Sequence, residues 1–439
     1  MVSEFAQRLT DAIASMATVF YINKEKAEKI LGTPGIGEAA LGEPLEIRLD
    51  TWLNDQEERH DFVFYQCDDS KTQWTQQCVR RADRILFIGH ISEAPDLKDF
   101  EAGLCDITTV RKDLAIVHSD ESKAPVNTMA WLEQRQIQQH YHIRWNVNKD
   151  FLRLARFMTG NAVGLVISGG GIRAAAGIGA FRALQEAGIE IDAVGGNSGG
   201  SVTAAGIALG WDNKKSMEVL AASMRLYPKG RTWPILSLYT GKHVTNLLKD
   251  RLGEHMAENT WRPFFCVTTN VSRGELSVHN SGPLYRLLRT SMSLPGMLPP
   301  VVWDKDWHVD GCVASNNPVQ IMRDKIDGGR IISIDLFSME QLGKDTYLSD
   351  DIGGFALLWS RFAKRLRGSR APKLLLSFTD LILRCMDIIT VHLDASSVDL
   401  VDLHVKPSLH EYSPGQWEAA EEIEAIGYQQ TKARLTDWE

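Results

Sequence analysis

The chain has 439 residues, 44% hydrophobic and 24% charged, with a formal net charge of −8. The length predicts two or three domains, and the composition is that of an ordinary globular protein rather than a disordered one. The acidic balance excludes a general nucleic-acid binder, which needs a basic face against phosphates.

The first residues carry Glu4, Arg8 and Asp11 among apolar neighbours, so they lack the basic start and unbroken apolar core of a signal peptide. Residues 5–19 have helical periodicity; residues 62–65, 85–89 and 114–117 read as strands, with a helix over 72–82 between the first two. Strand, helix and strand in that order predict a parallel βαβ unit. No G-x-x-x-x-G-K-[ST] occurs, which argues against a nucleotide-hydrolysing P-loop. Asp68 and Asp69 read as a solvated turn rather than a metal site. Helices are expected over 127–140 and 149–158, and a domain boundary near residue 150, giving an N-terminal α/β domain of unassigned role over 1–150 and a second domain over 151–439. The six cysteines show no metal spacing and no apolar run approaches the ~20 residues of a membrane span, so the expectation is a reducing, metal-free, cytoplasmic protein whose membrane contact, if any, is peripheral.

The informative stretch follows. The apolar run 163–167 breaks into Ser168-Gly169-Gly170-Gly171-Ile172-Arg173 and resumes as a helix over 174–187, so that backbone N–H groups and a helix N-terminus form an anion cradle. A second strand, 191–194, is followed by Gly195-Gly196-Asn197-Ser198-Gly199-Gly200, which fits G-x-S-x-G: small flanking residues allow a turn sharp enough to expose the Ser198 hydroxyl above a sheet. Helices are expected over 214–227, 244–257 and 283–291, and strands over 264–269, 276–279 and 330–335. Between them lie an apolar Pro-rich loop, 293–300, an Asp310-Gly311 turn and Asn316-Asn317-Pro318.

A serine hydroxyl needs a base and an oxyanion site. Two bases fit the residues: a histidine held by an acid, with His404 or His410 downstream, or Asp310 acting alone. A different class also fits the first turn, because Gly169 to Ala174 matches G-x-G-x-x-G/A with Glu190 or Asp192 near the place of a ribose-binding acid, as in a non-catalytic nucleotide-binding module.

The G-G-G-x-R turn before G-x-S-x-G, the S-x-P-G-x-x-P-P loop, D-G and N-N-x-P together resemble the patatin-like phospholipases. Residues 289–300, and upstream Trp74 to Asp83 with Trp131-Leu132, are similar to the neuropathy target esterase branch, so the resemblance covers nearly the whole chain. It implies a three-layer α/β/α sandwich, here preceded by a smaller Rossmann-like α/β domain and ended by a helical extension. It implies hydrolysis of fatty acyl esters of phospholipids or lysophospholipids, with no metal or cofactor. By motif, Ser198 resembles the nucleophile and Asp310 the base, with the amides of Gly169, Gly170, Gly171 and Arg173 as the oxyanion hole. Larger members carry a membrane anchor and cyclic-nucleotide-binding domains; neither is expected here. The chain departs from the pattern at Ser168, Ala174 and Cys312, and the last is predicted to crowd Asp310 or alter its desolvation.

Other features have plainer readings. His308 shares strand parity with Asp310 but reads as a structural histidine. Residues 355–367 form a basic amphipathic stretch that reads as a solvated helix face, with docking on anionic lipid as the alternative, and 374–389 reads as core.

Overall fold

The computed structural model describes residues 1–107, 110–119, 124–337, 384, 388 and 399–438. The stretches 355–367 and 374–389 lie outside the described residues, apart from 384 and 388.

The N-terminal unit runs α1 (Val2–Ala14), β1 (Val19–Ile22), α2 (Lys24–Leu31), α3 (Pro44–Arg59), β2 (Phe62–Tyr65), α4 (Gln73–Arg81), β3 (Arg84–His90), α5 (Asp99–Ile107), β4 (Arg111–His118), α6 (Thr128–Leu132), β5 (Gln139–Arg144) and α7 (Asn148–Met158). Three sequence expectations change. The helix expected over 5–19 stops at Ala14, and Val19, where it was expected to end, instead opens β1, a strand of β-branched and aromatic residues. The helix expected over 127–140 shrinks to α6, and the residues after it form β5. The expected βαβ unit has its helix, α4, but no ladder joins its two strands: β2 pairs with β1 and β3 with β4, all in parallel. Asp68, expected in a solvated turn, is half-buried in the loop between β2 and α4, accepting a 2.7 Å bond from the Thr72 hydroxyl and facing Lys24 at 3.6 Å, while Asp69 is exposed.

The second unit continues with β6 (Val163–Ile167), α8 (Ala175–Glu186), β7 (Ala193–Gly196), α9 (Ser198–Ala208), α10 (Asn213–Leu226), α11 (Lys242–Leu252), β8 (Phe264–Asn270), β9 (Glu275–His279), α12 (Leu284–Ser291), β10 (Val301–Trp303), β11 (Asp306–Asp310), α13 (Val319–Ile326), β12 (Arg330–Ile334), β13 (Leu403–Val405) and α14 (Ala420–Arg434). One sheet carries it in the order β10-β11-β8-β7-β6-β12-β13, with β9 on the other edge of β8. From β13 to β8 every neighbour is parallel; β9 and β11 pair antiparallel with β8, and β10 pairs antiparallel with β11. The central strands β6 and β8 are buried along their whole length, the pattern of a sheet covered on both faces.

Helices α8 to α12 and α14 cover one face, where Leu165, Ile167, Val194 and Phe264 meet Ala176, Val202, Leu220 and Ile423. The other face is covered by α13 together with α1, α7, β4 and β5, through Val166, Phe265, Val267 and Ile331 against Phe5, Leu9, Tyr141, Phe151 and Met322. The result is a three-layer α/β/α sandwich, and its second core runs continuously into the N-terminal unit. Arg84 and Arg111 add ion pairs to Asp327 at 2.6 and 2.9 Å.

Candidate active site

The parallel strands β6 and β7 end side by side, and each gives way to a glycine turn and a helix. After β7, Asn197 is still extended, and Ser198 opens α9 with φ of +50°. That left-handed conformation in a residue with a side chain costs of order 1–3 kcal/mol and needs anchors on both sides. The Asn197 amide donates to the Ile167 carbonyl at 3.2 Å, the Ser198 amide to Ser291 Oγ at 2.9 Å, and the Ser201 hydroxyl to the Ser198 carbonyl at 2.6 Å. A Cβ on Gly200 would lie 2.3 Å from the Ile167 carbonyl oxygen, so a residue without one lets α9 start against the end of β6.

Asp310 ends β11, directly across from Thr268 of β8, and is 1% exposed. Its Oδ1 accepts from Asn197 Nδ2 at 3.1 Å and from the Cys312 amide at 3.0 Å. The Ser198 hydroxyl and the Cys312 thiol lie near enough to the same carboxyl to favour its ionised form. Burial pushes the carboxyl above the usual aspartate range, and these donors oppose the shift. Among the described residues no cation forms an ion pair with it. Cys312 therefore touches Asp310 as a donor.

Three polar residues absent from the sequence-based site hold the pair in place. Asn197 Nδ2 donates also to Asn316 Oδ1 at 3.0 Å, and Asn197 Oδ1 accepts from the Ser291 hydroxyl at 3.2 Å. Asn316 Nδ2 reaches back to the Gly169 carbonyl at 3.1 Å. All three are buried, and the network joins the ends of β6, β7 and β11 to the last residue of α12. G-N-S-G-G and N-N-x-P were visible as motifs, and an asparagine beside each turn was the available signal.

The four residues expected to supply oxyanion donors divide in two. The Gly169 amide donates to the Asn316 carbonyl at 3.1 Å, and the Arg173 amide to the Gly170 carbonyl at 3.2 Å. The Arg173 side chain is also occupied, its Nε donating to the Tyr412 carbonyl at 2.8 Å. Gly170 and Gly171 remain, and their amides donate to no described group. Gly171 has φ of +61°, and a Cβ there would lie 2.3 Å from the Pro414 carbonyl oxygen, which fixes glycine at this corner.

The competing readings find their residues engaged elsewhere. His404 lies on β13, separated from β7 by β12 and β6, and faces Asp335 at 3.5 Å; His410 is exposed. His308 Nδ1 and His279 Nε2 both meet Thr268 Oγ1, at 2.9 and 2.6 Å, as a buried structural pair. Asp192, the candidate ribose acid, is held by Arg156 Nε and Nη2 at 2.8 and 2.6 Å, and Glu190 pairs with Lys149 at 2.8 Å. No group of three or more potential metal ligands occurs among the described residues.

A three-layer sandwich with a strained serine opening a helix beside a buried aspartate has the build of a patatin-type α/β protein. A family model described as patatin-like phospholipase matches residues 165–323, and one described as the neuropathy target esterase family P-loop like domain matches 1–149. The chain belongs to the patatin-like phospholipases of the neuropathy target esterase type. It is 30% identical to neuropathy target esterase sws of Drosophila melanogaster, over 97% of this chain and 32% of that one. To patatin-like phospholipase domain-containing protein 6 of Mus musculus it is also 30% identical, over 99% and 34%, and to protein 7 of Rattus norvegicus 33%, over 82% and 29%. The chain thus spans about a third of the length of these curated relatives. No described helix is long and apolar enough to cross a membrane.

Proposed function

We propose that this protein hydrolyses fatty acyl esters of phospholipids or lysophospholipids through Ser198 and Asp310. The observation that carries the reading is a buried Asp310 carboxyl with no ion-pair partner among the described residues, hydrogen-bonded at 3.1 Å to Asn197, the residue before a serine held at φ of +50°. Oδ1 of Asp310 is occupied by Asn197 and Cys312, which leaves Oδ2 to take the serine proton. Ser198 Oγ attacks the acyl carbon, and the amides of Gly170 and Gly171 stabilise the oxyanion. Asp310 then passes its proton to the departing alcohol oxygen, which leaves with the headgroup side of the lipid. Water, deprotonated by the same carboxylate, attacks the acyl-serine; collapse releases the fatty acid and returns the proton to Ser198. A base raised by burial accepts a proton at neutral pH more readily than an exposed aspartate.

The test compares the purified chain with Ser198→Ala on short-chain p-nitrophenyl esters and on phosphatidylcholine and lysophosphatidylcholine. Hydrolysis by the wild type and its loss in the variant are expected. Equal rates in both, or none in either across several acyl lengths, would overturn the reading.

A further inference from the structure

The segment between α10 and α11 folds back on itself: Arg231 bridges Tyr239, and the Thr232 amide donates to the Leu238 carbonyl at 3.1 Å. Its tip holds Trp233, Ile235 and Leu236 in water, at 85%, 88% and 60% exposure, although each has the chemistry of a core residue. Such adjacent apolar side chains at one loop tip are unusual on a free surface. Lys229, Arg231 and Lys242 flank the tip; all three are exposed, and none forms an ion pair among the described residues. An apolar tip with an indole and a collar of cations matches the chemistry of the bilayer interface, where tryptophan sits at headgroup depth and basic residues meet anionic lipid.

The loop is also fastened to the candidate site. Ser237 bridges Gly296, and the amides of Leu238 and Tyr239 donate to the carbonyls of Gly296 and Met297 at 2.8 and 3.1 Å. The same Pro-rich loop begins at Ser293, whose carbonyl accepts the Asp310 amide at 2.9 Å. A surface seated on the tip is thereby linked, through one loop, to the residue proposed as the base.

We propose that residues 229–242 dock the protein on an anionic phospholipid surface, with Trp233, Ile235 and Leu236 entering the interface. This inference builds on the lipid-substrate reading by naming how the site meets its substrate. The test is flotation of the full chain with vesicles of phosphatidylcholine alone and with a phosphatidylserine fraction. Wild type is expected to float with the anionic vesicles and to lose this in high salt. Trp233→Ala/Ile235→Ser/Leu236→Ser should reduce the bound fraction at least tenfold, and Lys229→Glu/Arg231→Glu/Lys242→Glu should abolish the preference for phosphatidylserine. Both variants should keep a wild-type melting temperature and soluble-ester rate within about twofold. Wild-type vesicle binding in the apolar triple variant, or no binding by the wild type, overturns the proposal. So does a loop that instead governs self-association in sedimentation without lipid. Loop-dependent flotation by a protein inactive on every ester would sink the hydrolase reading and leave docking standing.

Discussion

Asp192 and Asp310 are both sealed in the sandwich, 0% and 1% exposed, one just before β7 and the other at the end where Ser198 lies. Asp192 takes two bonds from the Arg156 guanidinium and one from the Val163 amide. Asp310 takes neutral donors, the Asn197 side-chain amide and the Cys312 backbone amide, with the Ser198 hydroxyl and the Cys312 thiol as neutral neighbours that favour its ionised form. Burial pushes both carboxyls up, but at Asp192 a cation pulls against it, and the carboxylate in turn holds the Arg156 proton more firmly. One buried aspartate is fixed as a structural ion pair; the other is left basic beside a strained serine.

Asparagine at each position separates these roles. Asp310→Asn keeps the shape but removes the proposed base, so kcat on a soluble ester should fall by about 10³–10⁴-fold. The sign of its stability effect follows from linkage. A folded-state value raised above the unfolded one means that the folded protein holds the proton more tightly, so stability declines as pH rises through the raised value. At pH 8 Asp310→Asn should therefore melt at or above the wild-type temperature. Asp192→Asn strands Arg156 and should cost about 3 kcal/mol in denaturant unfolding, with activity per folded molecule unchanged. If Asp310→Asn lowers stability while keeping activity, the contrast fails.

The next smaller effect tests what aims Asp310. Asn197→Ala leaves the Asp310 and Asn316 oxygens without their shared donor, and a misplaced base costs on the order of 10²-fold in kcat. KM should stay within about twofold, whereas a general packing defect would raise it and lower the melting temperature.

What was legible in the sequence follows the range of the forces involved. The apolar run of β6, the two glycine turns and the Asp310-Gly311 corner are local chemistry and stand where the residues placed them. Val19–Ile22 was lost because a four-residue strand directly after an apolar helix continues its pattern. Gln139–Arg144 reads as polar, yet His142 is buried and His140 half-buried, because both meet the Glu258 carbonyl, at 2.9 and 3.0 Å, more than a hundred positions away. Burial holds His140 down to about 4, so it packs there as a neutral ring. The fate of the Gly169 amide is equally remote: a glycine turn advertises free donors, but the Asn316 carbonyl takes this one.

The pH dependence sharpens the comparison further. The proposed base must be ionised to act, so kcat/KM should fall as pH drops through the raised Asp310 value, giving an acid limb above the ordinary aspartate range. His404→Ala and His410→Ala should leave that limb in place. A limb that disappears in either variant would favour a histidine base.

The smallest expected effect concerns Cys312, whose side chain was predicted to crowd the carboxyl or alter its desolvation. Its amide donates to Oδ1 at 3.0 Å, a bond any residue except proline can supply, so position 312 supports Asp310 whatever its side chain. The thiol adds a weaker donor that favours the ionised carboxyl. Removing it in Cys312→Ala should move the acid limb upward while leaving kcat at pH 8 within about twofold, and Cys312→Ser should move it back. Loss of activity at pH 8 in Cys312→Ala, unrepaired by serine, would mean that the side chain acts through packing. A limb unmoved by either change would mean that neutral donors other than the thiol set the basicity of Asp310, and the contrast with Asp192 would then rest on Arg156 alone.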